Sequence, residues 1–548
     1  MSAKHIAIID HSPGRQRGAA LMVMLVIMIV GAAAILVSSL SSAALKNARD
    51  KTTAEALAQA KDALIGRAVS DTTVPGSLPC PDSTGNGSAD LFSGNQCPTY
   101  IGKLPWKTLG LPDLRDGSGE ELWYALSINF RDVTTSVVNS DTPGTISVFA
   151  PDGTLLNDGS GTTGAVAVII APGSVLTRQG GVVQDRSTAG FNTASNYLDV
   201  ATVGGNAQDN AVFSGSSTST TGFIQGVMKD SSGNVIVNDQ LLVITRNQLM
   251  PGVEMRIAHE VKNCLDNYAA DSSNTNHRYP WAALVSNTNT WPSRNGDNDV
   301  RFGRVSETPD TSTTSGSPPT GTLLTYIQNV QNALNVYLNA PTSGNLSTLQ
   351  DKGDHLKDYA TSGTPAYQAG YTADHCSGLS CTSTLQSQLD TAMGAGSDPT
   401  MPADWTFACQ SFFRSTSPQS YWTDWRDLVF FQVADGYQPG GGTFTPLHIS
   451  GSGNTVVDNN TYRAAVLVGR KTLTGQQRLS STDIYPTTPP DNYLETLGGS
   501  TNSHQSAVGV TPSTSFITYK SFDPSYSTVN DLVLCLDGAG TNSGSVCK

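Results

Sequence analysis

A short polar loop carries oxygen-bearing side chains at alternating positions, a pattern typical of calcium sites. The candidate ligands are Asp82, Thr84, Asn86 and Asp90. Gly87 would permit the sharp bend that turns such oxygens toward one centre. The loop departs from the usual pattern twice, because Thr84 replaces a carboxylate and Ser93 stands where a bidentate glutamate is expected. The sequence therefore predicts a Ca²⁺ site, with a surface turn rich in glycine, asparagine and aspartate as the alternative.

Motifs of the common enzyme classes do not occur in the sequence. It contains no G-x-S-x-G nucleophile motif and no phosphate-binding P-loop. His259 and Glu260 are not followed by the second histidine that a zinc-protease helix requires. We therefore predict that the protein is not an enzyme. A hydrolase that uses two carboxylates stays open as an alternative, because carboxylates are plentiful.

The cysteines form the next group of reactive side chains. There are eight of them: Cys80, Cys97, Cys264, Cys376, Cys381, Cys409, Cys535 and Cys547. Their even number predicts disulfides formed in an oxidising compartment. Pairing neighbours in the sequence gives the simplest arrangement, which is Cys80–Cys97, Cys376–Cys381, Cys535–Cys547 and, from the remaining two, Cys264–Cys409. Other connectivities stay open. No C-x-x-C occurs, so neither a zinc ribbon nor a thioredoxin-like redox centre is indicated.

A long apolar segment near the N-terminus is the first element that must position these groups. Basic residues precede Gly18, and an uncharged run extends from Ala19 to Leu40. As a helix, this run of about 22 residues would be about 33 Å long, enough to cross the apolar layer of a membrane. Apolar positions continue at helical spacing, which predicts an amphipathic stem to about residue 70. The stem positions are Leu45, Leu57, Leu64 and Ile65.

The segment Arg15–Val30 resembles the N-terminus of type IV prepilins, most of all that of PilX-type minor pilins. It is similar also to the K-type minor pseudopilins of type II secretion. The resemblance implies that prepilin peptidase cuts after Gly18 and that the new N-terminus, Ala19, is methylated. Major pilins have phenylalanine in place of Ala19 and glutamate in place of Val23. The missing glutamate favours a tip or initiating subunit over a repeating one.

Two other interpretations of this segment stay open. Residues 42–44 fit the small-residue cleavage site of an ordinary secretory signal, and an uncleaved signal anchor is the second alternative. All three interpretations place most of the chain outside the cytoplasm. Basic residues before the apolar run favour a cytoplasmic N-terminus.

The composition is that of an acidic, loop-rich exported protein. The 548 residues carry a formal net charge of −13, which disfavours nucleic acid or anionic lipid as the main partner. Charged residues make up only 14% of the chain. With 53 glycines, the sequence indicates many turns between short elements.

Beyond the stem, the chain contains one unit twice. Ile101–Lys103 matches Phe302–Arg304 at an offset of 201 residues. Residues 121–124 match residues 427–430 at an offset of 306. The second copy therefore carries an insertion at about 306–420.

Short apolar runs within each copy predict strands. Ala165–Ala171 in the first copy and Leu532–Leu536 in the second are rich in β-branched or aliphatic residues and are bounded by turn residues. The insertion contains apolar residues at a spacing of three or four, which predicts a helix. They are Leu323, Ile327, Val330, Leu334 and Tyr337.

The predicted fold class is α+β. It consists of a long N-terminal transmembrane and amphipathic helix followed by two tandem pilin-like heads, each a helix on an antiparallel sheet, the second with a large insertion. The predicted domains are a leader at 1–18, the transmembrane and stem helix at 19–70, the first head at 71–250 and the second head at 251–548.

The predicted function is that of a minor pilin or pseudopilin at the tip of a type IV pilus-like filament, which primes assembly or presents an adhesive surface. The expected partners are other pilins or pseudopilins, prepilin peptidase, the inner membrane before assembly, and a surface or host ligand, but not nucleic acid. The expected location is the bacterial inner membrane, as a single-pass protein with a cytoplasmic N-terminus and heads in the periplasm or outside, and then the cell-surface filament. The alternative is a membrane-anchored or secreted binding protein, or less favoured a hydrolase, outside any filament.

Overall fold

The computed structural model of the chain is a mixture of helices and several small sheets. It describes residues 17–537 apart from 188–189, 284–299, 307, 315–318, 320, 394, 414–420, 450–457, 474, 477, 479–491, 498–499, 505–512 and 517–529.

The first helix, α1 (Arg17–Ser70), packs against the body of the molecule through its C-terminal part. The side chains buried there recur at spacings of three and four, which lines one face of a helix. They are Thr53, Ala56, Leu57, Ala60, Leu64 and Ala68. At the end of α1, Arg256 of the second helix, α2 (Arg246–Ala269), donates hydrogen bonds to the carbonyl oxygens of Val69 and Asp71 at 2.6 and 2.5 Å. These bonds satisfy carbonyls at a helix end and fix α1 against α2.

The predicted transmembrane helix is wrong. Among the residues that the structure describes, no helix is both long enough and apolar enough to cross a membrane. A crossing helix needs about 20 consecutive, predominantly apolar residues. This finding overturns the predicted fold class, which began with that helix, and the predicted single-pass location in the bacterial inner membrane.

The first half of the chain forms a four-stranded antiparallel sheet. Its strands, in spatial order, are β1 (Ile101–Lys103), β2 (Trp123–Leu126), β5 (Ala165–Ala171) and β11 (Gln240–Thr245). All seven residues of β5 are buried, as its continuous apolar sequence predicts. Smaller sheets and hairpins are formed by β3 (Val148–Phe149), β4 (Leu155–Asn157), β6 (Val200–Val203), β7 (Asn206–Asp209), β8 (Phe223–Ile224), β9 (Met228–Lys229) and β10 (Val235–Val237).

The second half forms another four-stranded antiparallel sheet. Its strands, in spatial order, are β12 (Phe302–Arg304), β15 (Val429–Val433), β18 (Ala464–Val468) and β22 (Leu532–Leu536). Smaller sheets are formed by β16 (Leu447–Ile449), β17 (Asp458–Tyr462), β19 (Thr496–Leu497), β20 (Ser500–Thr501) and β21 (Ser515–Phe516).

The two halves share one arrangement of strands. Each also has a small three-stranded sheet that contains one parallel pair, β3–β8 in the first half and β16–β21 in the second. Helix α1 lies against β5 and β11, and α2 lies against β18 and β22. The matched segments Ile101–Lys103 and Phe302–Arg304 are the equivalent edge strands β1 and β12. One hydrophobic core joins both helices and both main sheets. The predicted domain boundaries stay a prediction.

A helical insertion separates β12 from β15. A two-stranded ribbon, β13 (Ser312–Thr314) and β14 (Ala395–Ser397), forms its base. The helices are α3 (Thr322–Asn339), α4 (Ser343–Tyr359), α5 (Pro365–Asp374) and α6 (Thr382–Ala392), and the short α7 (Phe407–Phe413) and α8 (Trp422–Trp425) follow the ribbon. Helices α3 to α6 enclose a core of their own. The helix predicted from the apolar spacing is confirmed as α3, whose Ile327, Val330, Leu334 and Tyr337 are buried in this core.

Candidate functional site

The N-terminal part of α1 exposes large apolar side chains on all sides. Seven of them are exposed by half or more: Met22, Met24, Leu25, Val26, Ile27, Met28 and Ile29. Six are consecutive, and successive residues of an α-helix are rotated by about 100°. The exposed apolar surface therefore surrounds the helix instead of following one face. These seven residues are called the apolar segment below.

A polar stretch of α1 separates the apolar segment from the body. Residues 43–52 are all exposed and include Lys46, Arg49 and Lys51. The first buried side chain after this stretch is Thr53, whose hydroxyl accepts a hydrogen bond from the backbone N–H of Gly117 at 2.9 Å. From Ile29 to Thr53 the helix extends for about 36 Å. The body of the chain therefore lies too far away to cover the apolar segment.

Gly117 lets α1 approach the body closely. A Cβ atom at this position would lie 2.3 Å from the carbonyl oxygen of Arg49, and a helix backbone has little freedom to move away. We expect Gly117→Ala to lower the free energy of unfolding by about 1–3 kcal/mol, measured by urea denaturation. Gly66→Ala is the matched control on α1, because a Cβ atom there meets nothing within 4 Å and alanine favours a helix. Equal effects of the two substitutions would contradict the close contact.

The predicted processing residues lie at the start of the same helix. Gly18 and Ala19 are in the first turn of α1, directly before the apolar segment. Cleavage after Gly18 would leave the apolar segment at the new N-terminus. Cleavage and methylation stay predictions.

The candidate calcium loop holds the carboxylate of Asp82 with its own donors. Asp82 is 1% exposed, and its Oδ1 accepts hydrogen bonds from the backbone N–H of Thr84 at 2.9 Å and of Gly85 at 2.8 Å. The Thr84 hydroxyl donates to the same oxygen at 3.0 Å. Oδ2 accepts from the backbone N–H of Gly87 at 2.6 Å. This pattern is typical of turns in which an aspartate caps its own backbone.

The other two candidate ligands also accept hydrogen bonds from loop amides. The carboxylate of Asp90 accepts from the backbone N–H of Ser83 at 3.2 and 3.3 Å, and Asn86 Oδ1 accepts from that of Ser88 at 2.7 Å. In the described part of the chain, no group of three or more His, Cys, Asp or Glu side chains is placed to hold a metal. Ca²⁺ binding by the loop stays a prediction, which melting curves in calcium and in EDTA would test, since a bound ion raises the melting temperature.

Three disulfides fasten the loop, the insertion and its base. Cys80–Cys97 closes the candidate calcium loop, Cys264–Cys409 joins α2 to α7, and Cys376–Cys381 lies within the insertion. All three belong to the simplest pairing of the sequence. Cys535 is also disulfide-bonded, and Cys547 lies outside the described residues.

A polar cleft of about 590 Å³ lies at the junction of the two halves. Its lining includes Asn139 and Asp141 from the first half and Asp424 and Arg478 from the second. Arg478 Nη1 donates to both carboxylate oxygens of Asp141 at 2.9 and 3.2 Å. The side-chain amide of Asn139 donates to the carbonyl oxygen of Asp424 at 2.8 Å. These groups therefore join the halves to each other.

Asp424, one of the carboxyl groups that line the cleft, has a raised pKa. Burial raises the pKa of Asp424 to about 6, against the opposing effect of a hydrogen bond from the backbone of Val138. Sequence reasoning missed the cleft because its members are far apart in the chain, with 337 positions between Asp141 and Arg478. No local motif could have indicated it.

Comparisons with known proteins returned no relative from which a role could be transferred. No protein family, curated protein or solved structure matches this chain. The candidate functional site is therefore chosen on physical grounds, and it is the apolar segment of α1.

Proposed function

We propose that the protein is a structural minor subunit, a minor pilin or pseudopilin, of a type IV pilus-like filament, and that its apolar segment binds the helices of neighbouring subunits. The exposure of large apolar side chains on every side of one helix carries this proposal. A helix that is apolar all round is normally enclosed by other apolar groups. A single flat partner would cover only one face. Several helices around it, as in the core of a helical filament, would cover all of them.

The free energy available from this enclosure is large enough to hold a subunit in place. Full burial of one large apolar side chain contributes about 1.5–3 kcal/mol. Seven such side chains together contribute on the order of 10 kcal/mol. This amount is comparable to the entropic cost of association, about 4–15 kcal/mol. The apolar segment would therefore be a main source of binding free energy, supplemented by contacts of the body.

Two features support a terminal subunit over a repeating one. The N-terminal segment has Val23 where repeating pilins have glutamate, and the second half carries a helical insertion that a tightly repeating lattice would have to accommodate. The insertion also exposes aromatic side chains. Tyr359 and Tyr371 are about half exposed, and the Tyr371 ring stacks on His375 with centroids 4.2 Å apart. Exposed tyrosines are common in contact surfaces, so we assign the insertion to the binding of a ligand outside the filament.

The mature N-terminus provides the test. We expect intact mass and terminal peptide sequencing to show a chain that begins at N-methylated Ala19 when prepilin peptidase is present and an uncut chain when it is not. Shearing should release the mature protein together with filaments. A chain that begins near Leu45 would lack the apolar segment and would contradict the proposal. An uncut Met1 in the presence of the peptidase would contradict it as well.

A second candidate function is ligand binding outside any filament. The observation that favours it is the separate core of the helical insertion, because a module with its own core can present a surface without help from an assembly. Filament shearing distinguishes the two functions. A protein that acts outside a filament would be missing from the sheared fraction, whatever its N-terminus.

A further inference from the structure

Each half of the molecule contains two buried carboxyl groups in the same structural position. In the first half Asp199 directly precedes β6 and Asp239 directly precedes β11. In the second half Glu495 directly precedes β19 and Asp531 directly precedes β22. All four side chains are 5% exposed or less. Two carboxylates buried together without a cation would repel strongly, so the pairs require an explanation.

Asp199 is surrounded by hydrogen-bond donors. Its Oδ2 accepts from the backbone N–H of Asn238 at 2.7 Å and from that of Asp239 at 3.2 Å. Its Oδ1 accepts from the side-chain amide of Gln184 at 2.9 Å. A carboxyl group that accepts three hydrogen bonds through both oxygens is stabilised in its ionised form. Burial raises the pKa of Asp199 too, but these hydrogen bonds oppose that shift, so Asp199 is the carboxylate of the first pair.

Asp239 has one oxygen that accepts hydrogen bonds and one that does not. Its Oδ2 accepts from the backbone N–H of Asp199 at 2.8 Å and from the side-chain amide of Asn210 at 2.9 Å. Its Oδ1 is buried, and no N–H or O–H group of the described residues donates to it. An oxygen in this position can carry a proton and donate it. Burial and the neighbouring charge of Asp199 raise the pKa of Asp239 well above its usual value.

The second pair repeats this network with a longer side chain. Glu495 Oε2 accepts from the backbone N–H groups of Asn530 at 3.0 Å and Asp531 at 2.9 Å, and its Oε1 accepts from the amide of Gln476 at 3.1 Å. Asp531 Oδ2 accepts from the backbone N–H of Glu495 at 2.9 Å and from the amide of Asn502 at 3.0 Å. Asp531 Oδ1 again has no donor among the described residues. Burial and the charge of Glu495 raise the pKa of Asp531 well above its usual value.

Three arginines contact residues of the two networks, but they donate to groups other than the four carboxyl groups. Arg178 donates to the carbonyl oxygen of Leu198 at 3.1 Å and to Asp209 at 2.6 Å. Arg186 donates to Gln184 Oε1 and forms an ion pair with Glu120. In the second half, Arg478 donates to Gln476 Oε1 and to Asp141. Arg186 and Arg478 orient the glutamines that bind the pairs, and in the described part of the chain none of the three arginines donates to the four carboxyl groups.

We propose that each half of the protein binds one proton between its two buried carboxyl groups, with Asp239 and Asp531 as the neutral acids that donate to Asp199 and Glu495. The bound protons connect the start of the last main-sheet strand, β11 or β22, to the hairpin before it, β6–β7 or β19–β20. Asn210 and Asn502, which follow the second strand of each hairpin, complete the connection. The same network in both halves, despite the exchange of aspartate for glutamate, shows that its geometry does not depend on one side chain.

The direction in which the pKa values of Asp239 and Asp531 are shifted determines how stability depends on pH. The acids Asp239 and Asp531 hold their protons more tightly in the folded chain than in the unfolded one, where an aspartate has a pKa of about 3.9. Their contribution to stability is complete below that value and is lost as pH rises through the pKa of the folded state. We therefore expect these sites to make the full chain less stable toward alkaline pH.

Substitution by asparagine tests the proposal, because a side-chain amide donates as the neutral acid does but does not titrate. We expect the full chain carrying Asp239→Asn and Asp531→Asn to fold, to be at least as stable as the wild type at neutral pH, and to lose the part of the destabilisation with rising pH that these two acids cause. The matched control is Asp199→Asn with Glu495→Gln, because donors face both carboxylate oxygens of each residue and the new amide N–H₂ must lie opposite one of these donors. This control should be clearly less stable. Equal destabilisation by the two double variants would overturn the proposal.

Infrared spectroscopy gives a direct readout that does not depend on variant stability. At neutral pH the folded wild-type chain should show the C=O band of protonated carboxyl groups. Asp239→Asn alone should remove about half of its intensity, and the double variant should remove the rest. Absence of the band from the wild type would overturn the proposal. So would a cation in place of the proton, which would appear as an EDTA-sensitive stability that is lost in Asp239→Asn.

Discussion

Replacing Leu25, Ile27 and Ile29 together by serine is expected to prevent incorporation into filaments while the chain still folds. These side chains are 50%, 64% and 59% exposed in the isolated chain, so the free energy of unfolding should change by less than about 0.5 kcal/mol. Among partner helices, each would contribute about 1.5–3 kcal/mol. The triple variant should therefore lose more than about a thousandfold in affinity for its partners.

The measurement is the amount of the variant in sheared filaments relative to the amount that remains with the cells. Lys46→Ser with Lys51→Ser is the control on the same helix, because both lysines lie in the exposed polar stretch between the apolar segment and the body. The control should assemble at a level close to that of the wild type. A triple variant that assembles as well as the control would show that the apolar segment is not the binding surface.

Loss of the Cys264–Cys409 disulfide is expected to give the largest change in stability. This bond closes a loop with a sequence separation of 145 that contains helices α3 to α6 of the insertion. The chain entropy removed from the unfolded state corresponds to about 5 kcal/mol for a loop of this size. We expect the double substitution Cys264→Ala and Cys409→Ala to lower the free energy of unfolding by up to this amount, measured by urea denaturation.

The Cys376–Cys381 disulfide provides the comparison within the same chain. Its sequence separation is 5, for which the same relation gives about 2 kcal/mol. The double substitution Cys376→Ala and Cys381→Ala should therefore have less than half the effect. If the short loop proved as important as the long one, the entropic explanation would be wrong and local packing around the cysteines would have to account for the stability.

Local sequence was enough to predict several elements of the sheets and the insertion. Ala165–Ala171 and Leu532–Leu536 are strands β5 and β22 with the predicted bounds. Runs of this kind are informative because a short apolar, β-branched segment bounded by turn residues favours a buried strand over a long helix. The apolar spacing in the insertion likewise predicted α3. Both signals act over a few residues, so they do not depend on contacts between distant parts of the chain.

The same local reasoning failed where the outcome depended on what surrounds a helix. Leu57 and Leu64 are buried as their spacing predicts, but Leu45 is 61% exposed. The reason is that α1 meets the body at Thr53, through Gly117, a contact that periodicity alone does not indicate. The transmembrane prediction is also wrong, because no helix in the described part of the chain is long and apolar enough to cross a membrane.

The sequence by itself determined the short strands, the helix of the insertion and the composition of the apolar segment, because these depend on residue type and spacing over one element. Tertiary structure alone decided where α1 leaves the body, how Asp141 meets Arg478 in the cleft, and which carboxyl groups are buried in pairs. Asp199 and Asp239 are 40 positions apart, and each has an ordinary sequence context. Their altered pKa values result from burial and from hydrogen-bond donors supplied by other segments, so the pair forms only in the folded chain.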